Sequence, residues 1–246
     1  MKDNFSHNAS GYAAYRPSYP DRLFQEIRNL VPSTGLALDV GTGSGQVAVK
    51  LSEFFDHVEA TDISEKQIQH AQKSPKINYS VQPAEKNNFG NGQFDLITVG
   101  QAIHWFDFDR FYKEVYRVAK ADAVIAVLGY GLFRVDPEVD NVIDILYQEI
   151  LGSYWDPERR YIDEEYKTIP FPFEELHIPA SSYQAVWDFD HLIGFLNTWS
   201  AVKHYENRKR KDPLELILPE LKKAWENKPS KLITFPIINR IGKILK

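Results

Sequence analysis

The 246-residue sequence contains no cysteine. That excludes disulfides, thiolate metal sites and cysteine nucleophiles. It lacks any apolar run approaching the roughly 18 residues of a membrane-spanning helix. Met1 to Ser10 is polar and carries no apolar signal core, so a cytoplasmic location is expected. Positive charge is not in excess either. The formal net charge is -5, which counts against a general nucleic-acid binder. The dense basic run Arg208-Lys209-Arg210-Lys211 precedes Asp212-Pro213 and suits the end of a solvated helix, where cations meet the dipole. His7, His57, His70, His177, His191 and His204 are scattered without metal-ligand spacing, so no metal is expected.

What is present suits a packed α/β domain with room for an extra lobe, since apolar residues make up 43% and no stretch is of low complexity. Aromatics reach 13%, mostly in the second half, which implies a dense core or a pocket for an organic ligand.

The first half alternates two kinds of segment. Asp21 to Leu30 has helical spacing, with Leu23, Phe24, Ile27 and Leu30 on one side. Leu36 to Val40 is a buried strand, and Val47, Ala48, Leu51 and Phe54 mark a helix. His57 to Thr61 is a second strand. Ser64 and Gln67 then have the spacing of a capping box that opens a helix. Strands follow at Ile77 to Val81, Phe94 to Val99 and Ala123 to Leu128, with a helix through Phe108, Phe111, Tyr112, Val115 and Val118. This alternation predicts a Rossmann-like, mostly parallel sheet flanked by helices. Ligands in such folds bind beyond the carboxyl ends of the strands, which puts Asp39 to Gly45, Asp62, Ala84-Glu85 and Gln101 to Trp105 on one rim.

After Tyr130 the pattern changes. Helices are expected at Asn141 to Leu151, Leu192 to Tyr205 and Leu214 to Trp225, with strands at Ser182 to Asp188 and Leu232 to Ile238. A proline-rich stretch lies between Pro157 and Pro179. The C-terminal half therefore reads as an inserted helical cap mixed with elements that complete the sheet.

The sharpest local signal is Asp39-Val40-Gly41-Thr42-Gly43-Ser44-Gly45, between a strand and a helix. Glycines let the backbone turn tightly and let a ligand approach. The dinucleotide fingerprint is G-x-G-x-x-G. Here the spacing is G-x-G-x-G, and Gln46 stands where the third glycine of that fingerprint would fall. Asp39 before the loop would repel a pyrophosphate but not an ammonium or sulfonium. At the end of the second strand, Asp62 can accept both hydroxyls of a ribose; alternatively it is a helix-start acid.

These blocks resemble a class I S-adenosylmethionine-dependent methyltransferase, of the branch with the ubiquinone/menaquinone-type and trans-aconitate-type small-molecule enzymes. The resemblance rests on Tyr15-Arg16-Pro17-Ser18-Tyr19-Pro20, Asp39 to Gly45, Ala60 to Ser64, Ala84-Glu85, Phe94 to Ile97 and Gln101-Ala102-Ile103-His104-Trp105-Phe106. It implies S-adenosylmethionine as cofactor. Gly41 and Gly43 would line its methionine part with Asp39 nearby, Asp62 would hold the ribose, Ala84 and Glu85 would border the adenine, and Gly45 and Ile63 would also belong to the cofactor site. Gln101 would touch it from the other side, and Tyr15 and Arg16 would fold over it. The chain then forms a single methyltransferase domain, 1–246. Within it, 1–30 are lid helices, 31–130 the cofactor half, 131–231 the substrate cap with sheet-completing elements, and 232–246 the final strand and tail. Two departures stand out. Pro83 replaces an aspartate common in relatives before Ala84-Glu85, and Lys120-Ala121-Asp122-Ala123 replaces a Lys-Pro-Gly-Gly turn.

Methyl transfer from a sulfonium chiefly needs positioning and exclusion of water. A base is needed only when the acceptor must lose a proton early. His104 is the candidate base, or else a structural histidine under the cofactor. Trp105, Trp155 and Trp199 are candidate pocket walls or core residues. Arg159 and Arg160 could fork onto a carboxylate of the acceptor, or pair with Glu158, Asp163, Glu164 or Glu165. The sequence thus points to a small-molecule acceptor, with RNA or protein methylation, an inactive methyltransferase-like binding protein and an NAD-dependent oxidoreductase as alternatives.

Overall fold

The computed structural model describes residues 15–246. In chain order its first half carries α1 (Asp21–Leu30), β1 (Leu36–Val40), α2 (Gln46–Leu51), β2 (His57–Asp62), α3 (Glu65–His70), β3 (Ile77–Val81), β4 (Phe94–Gly100), α4 (Phe108–Val118) and β5 (Ala119–Tyr130). The second half carries α5 (Pro137–Asp144), α6 (Arg160–Asp163), β6 (Glu174–Leu176), β7 (Ser182–Trp187), α7 (Phe189–Leu196), α8 (Ser200–Lys209), α9 (Leu218–Trp225) and β8 (Lys231–Lys243).

The strands run in the order β3-β2-β1-β4-β5-β8-β6, with β7 pairing β8 off that path. All pairs among β1 to β5 are parallel, whereas β8 runs antiparallel to β5 and β6. This is the expected Rossmann-like sheet. Its central strands are buried on both faces: Ala37 and Leu96 belong to one apolar cluster, and Leu38 and Ile97 to the other. That two-sided burial is why the strands read as continuous apolar runs rather than alternating ones. The strand order reverses between β1 and β4, which opens a crevice at their carboxyl ends.

The local signals explain the first half well. Ser64 caps α3, its side chain accepting from Gln67 N. The other half of the box is taken by Asp62, whose Oδ1 accepts from Ser64 N at 2.9 Å. α1 buries Leu23, Phe24 and Ile27.

The second half departs from expectation in its boundaries. The helix expected at Asn141–Leu151 begins at Pro137, because Asp136 accepts from Val139 N and proline suits the first helical turn. It then widens into a π-helical turn over Ile145–Ile150. The helix expected at Leu192–Tyr205 is two helices. Asp188 starts α7 early, accepting from His191 N. Thr198 Oγ1 bonds back to Phe195 O at 2.6 Å, and Trp199 is extended, so α8 starts afresh at Ser200. Strand β8 runs 13 residues because its first part pairs β7 and its last part inserts between β5 and β6. The basic run does end a helix: α8 stops at Lys209 with Arg210 in the left-handed region. No described helix is long and apolar enough to cross a membrane.

Candidate active site

The site is built at the switch point. Asp39, near the end of β1, is buried at 1% exposure. Thr42 Oγ1 donates to its Oδ2 at 2.6 Å, and Thr98 Oγ1, from β4, donates to its Oδ1 at 2.8 Å. The carboxylate thereby ties the glycine loop to the neighbouring strand. Burial raises its pKa to about 6; the charge of Asp62 adds to this, and the threonine hydrogen bonds oppose it.

Asp62 fixes the loop from the other side, its Oδ2 accepting from Gly43 N at 2.8 Å. Gly43 has φ 54°, and no atom lies within 4 Å of where its Cβ would stand. A left-handed glycine facing open space is what a closely approaching ligand requires.

Beside this loop lies a cavity of about 970 Å³, counting its solvent-open mouth. Asp39, Gly41, Gly43, Asp62, Ile63, Gln101 and Arg16 all line it, so the structure gathers these seven candidates at one place. A second cavity of about 520 Å³ is lined by His104, Trp105, Trp155, Arg159 and Trp199. Arg16, Gln101 and Trp105 line both. Two adjoining pockets with shared walls allow two ligands to be presented to one another.

Other candidates fall elsewhere. Gly45 does not line the larger cavity; a Cβ there would collide with the Tyr79 hydroxyl, so that glycine makes room for a side chain. Ala84 is buried in an apolar cluster, and half-buried Glu85 accepts from Asp107 N at 3.2 Å. Neither reaches the cavity lining. Tyr15 packs edge-on to His191, 5.1 Å between ring centroids, outside both cavities. Arg160 is exposed and turns to its neighbour, Nη2 to Tyr161 Oη at 3.1 Å, so it is not part of the second cavity. Residues 1–14 of the expected lid lie outside the described residues.

His104 sits in the short helical turn Ile103–Trp105 and is 6% exposed. Burial, reinforced by the nearby positive charge of Arg159, lowers its pKa to about 3. The imidazole is therefore neutral at physiological pH and a weak base, which weighs against the general-base role. Arg159 stacks over Trp155, 4.9 Å from the ring centroid, and over Tyr147 at 5.3 Å. Its Nε donates to Tyr147 Oη at 2.7 Å and lies 3.5 Å from Asp163 Oδ1. The pairing with Asp163 weighed from the sequence thus exists, yet Arg159 still lines the cavity.

Known proteins bear on what fills these pockets. A family model described as a methyltransferase domain matches residues 38–127, the stretch with the glycine loop and Asp62. A Dictyostelium discoideum protein named as a methyltransferase is 34% identical over 98% of this chain and 95% of its own length. A solved structure described as a type II methyltransferase from Anaeromyxobacter dehalogenans shares 45% identity, with TM-score 0.88, covering 94% of this chain and 99% of that one. A Saccharomyces cerevisiae protein named as an S-adenosylmethionine-dependent methyltransferase is 26% identical over 65% of this chain and 59% of its own length.

The chain belongs to the class I S-adenosylmethionine-dependent methyltransferases.

The larger cavity suits that cofactor. It has an open glycine loop, an acidic side chain at the end of β2 and a buried carboxylate beneath, and no phosphate-seeking cation lies in the loop itself. Its volume is within the usual range for small-molecule pockets. Sequence reasoning passed over several lining residues of this methyltransferase. Thr42, Ser44 and Gln46 belong to the loop it had singled out, and a closer look at that loop would have found them. Tyr130 carries no local signal; only the fold brings it to Gln101 and to the cavity.

Proposed function

We propose that this methyltransferase acts on a small, carboxylate-bearing acceptor, in the manner of the ubiquinone/menaquinone-type and trans-aconitate-type branch. Bound S-adenosylmethionine supplies an electrophilic methyl group on a sulfonium. Asp62 accepts its ribose hydroxyls, Gly41 and Gly43 let it approach the backbone, and the buried negative charge of Asp39 favours its cationic end. Ala84 and Glu85 would have to meet the adenine through a rearranged rim. The segment around Arg16 covers the site: Arg16 Nη1 donates to Tyr130 Oη at 2.9 Å and Nη2 to Thr198 O at 3.3 Å, joining the N-terminal segment to the cap. Residues 131–231 supply the acceptor's surroundings.

The observation that carries this reading is the second cavity, adjoining the first through Arg16, Gln101 and Trp105 and holding Arg159 among three tryptophans. Arg159 uses Nε for Tyr147 and Asp163. Its two Nη groups can then fork onto a carboxylate. The aromatic walls exclude water from the transfer. An acceptor confined to a cavity of this size is a small molecule rather than a folded RNA or protein.

The test is incubation with S-adenosylmethionine and a panel of carboxylic acids and their amides, reading S-adenosylhomocysteine formed. Turnover with acids and not amides, lowered at least tenfold in Arg159→Met, is expected. Equal turnover of acids and amides, or full activity of Arg159→Met, would refute the carboxylate reading.

A further inference from the structure

Tyr166 is fully buried, yet its backbone is left-handed at φ 59°, following Glu165 at φ 53°. Gln101, which it meets, is also left-handed, at φ 53°. Such backbone is costly for residues with a Cβ, and it persists where the surrounding structure imposes it. Here Arg240 Nη1 holds the Tyr166 carbonyl at 3.2 Å. Gly129 makes room for the ring, since a Cβ there would stand 2.8 Å from it. This strain delivers one hydroxyl to a defined point: Tyr166 Oη lies 3.2 Å from Gln101 Oε1 and 3.3 Å from His104 Nδ1.

The chain of hydrogen bonds has only one consistent direction. The carbonyl oxygen of Tyr130 can only accept, so the Gln101 atom 3.0 Å from it is Nε2, donating. Oε1 therefore faces Tyr166 and can only accept. The Tyr166 proton goes to Oε1, and its oxygen must accept from His104. His104 then carries its proton on Nδ1, and Nε2 keeps its lone pair.

We propose that Tyr166 is a positioning residue that locks His104 as the Nδ1–H tautomer, and that the acceptor is a hydroxy acid. Its carboxylate engages Arg159 while its hydroxyl donates to His104 Nε2. This rests on reading the second cavity as the acceptor site. A carboxylate oxygen set against Nε2 would oppose two lone pairs, whereas an O–H donor satisfies both partners. His104 and Arg159 line the same cavity, so one small molecule can reach both. The tryptophans beside them suit an aromatic ring between the two groups.

Nitrogen-15 NMR of the full chain, with His104 assigned by its absence in H104Q, reads the tautomer without any ligand. Nδ1–H is expected in the wild type, and loss of the single tautomer in Tyr166→Phe. Binding of 2-, 3- and 4-hydroxybenzoate is then compared with benzoate in the presence of S-adenosylhomocysteine. The best hydroxy isomer should bind about three- to tenfold more tightly than benzoate, the worth of one neutral hydrogen bond. That advantage should shrink in Tyr166→Phe. An Nε2–H tautomer in the wild type overturns the proposal. So does benzoate binding as tightly as every hydroxy isomer, which leaves the carboxylate reading standing. No binding of any acid, benzoate included, overturns both.

Discussion

Gly43 donates its backbone N–H to Asp62 Oδ2 at 2.8 Å, and this bond ties the glycine loop to the end of β2. The other oxygen of the same carboxylate accepts from Ser64 N at 2.9 Å. Asp62 thus shapes the loop, and in the proposed reading it also accepts from the ribose hydroxyls.

Asp62→Ala removes both functions. Hydrogen bonds to charged groups contribute about 1.5–3 kcal/mol each, so affinity for S-adenosylhomocysteine should fall roughly 10- to 100-fold or more. Asp62→Asn, which keeps one acceptor, should lie between. Fluorescence titration of the three proteins checks this order; equal affinities would refute it.

The two glycines of the loop should respond differently to alanine. Gly43→Ala meets open space and costs about 1 kcal/mol of left-handed strain, so it should weaken cofactor binding more than stability. Gly45 has φ 83° and lies against the Tyr79 hydroxyl, so Gly45→Ala should chiefly lower the melting temperature. Adding Tyr79→Phe should restore part of that loss, though it also gives up the bond from Tyr79 Oη to Gln72 O. Thermal unfolding beside binding separates the cases; a Gly45→Ala protein as stable as the parent would contradict the packing.

Stability should depend on pH through two buried groups with opposite signs. Asp39 has a folded pKa of about 6 against 3.8. Its folded state binds the extra proton, so its contribution is present below pH 3.8 and lost as pH rises through 6. His104 has a folded pKa of about 3 against 6.5, so its contribution is present above pH 6.5 and lost as pH falls. Asp39→Asn should therefore gain stability relative to the parent as pH rises from about 4 to 6, and His104→Gln as pH falls from about 6 to 4. Melting temperatures across that range test both; parallel curves for all three proteins would contradict the assignment.

Much of the first half was legible in the sequence, because its signals are local. The run Leu36–Val40, the glycines after it and the Ser64–Gln67 spacing each act within a few residues. The second half was legible only in outline. The break at Thr198-Trp199 depends on one hydroxyl turning back to Phe195 O, and periodicity does not register that. Arg159 and Arg160 are adjacent and alike in sequence, yet one stacks on Tyr147 and Trp155 at the cavity while the other faces Tyr161 outside it. Their separation is set by the rings each one meets, Tyr147 and Trp155 for Arg159 and Tyr161 for Arg160, which the two adjacent letters do not encode. Tyr166 was invisible for the same reason: its partners Gln101 and His104 are 65 and 62 positions away.

The most direct test of the cofactor assignment is calorimetric titration of the purified chain with S-adenosylhomocysteine, beside NADH and with Asp62→Ala as control. Saturable binding of one S-adenosylhomocysteine per chain is expected, with binding strongly weakened in the control and no heat from NADH. Binding of NADH in preference, or affinity for S-adenosylhomocysteine unchanged in Asp62→Ala, would contradict the account of the site.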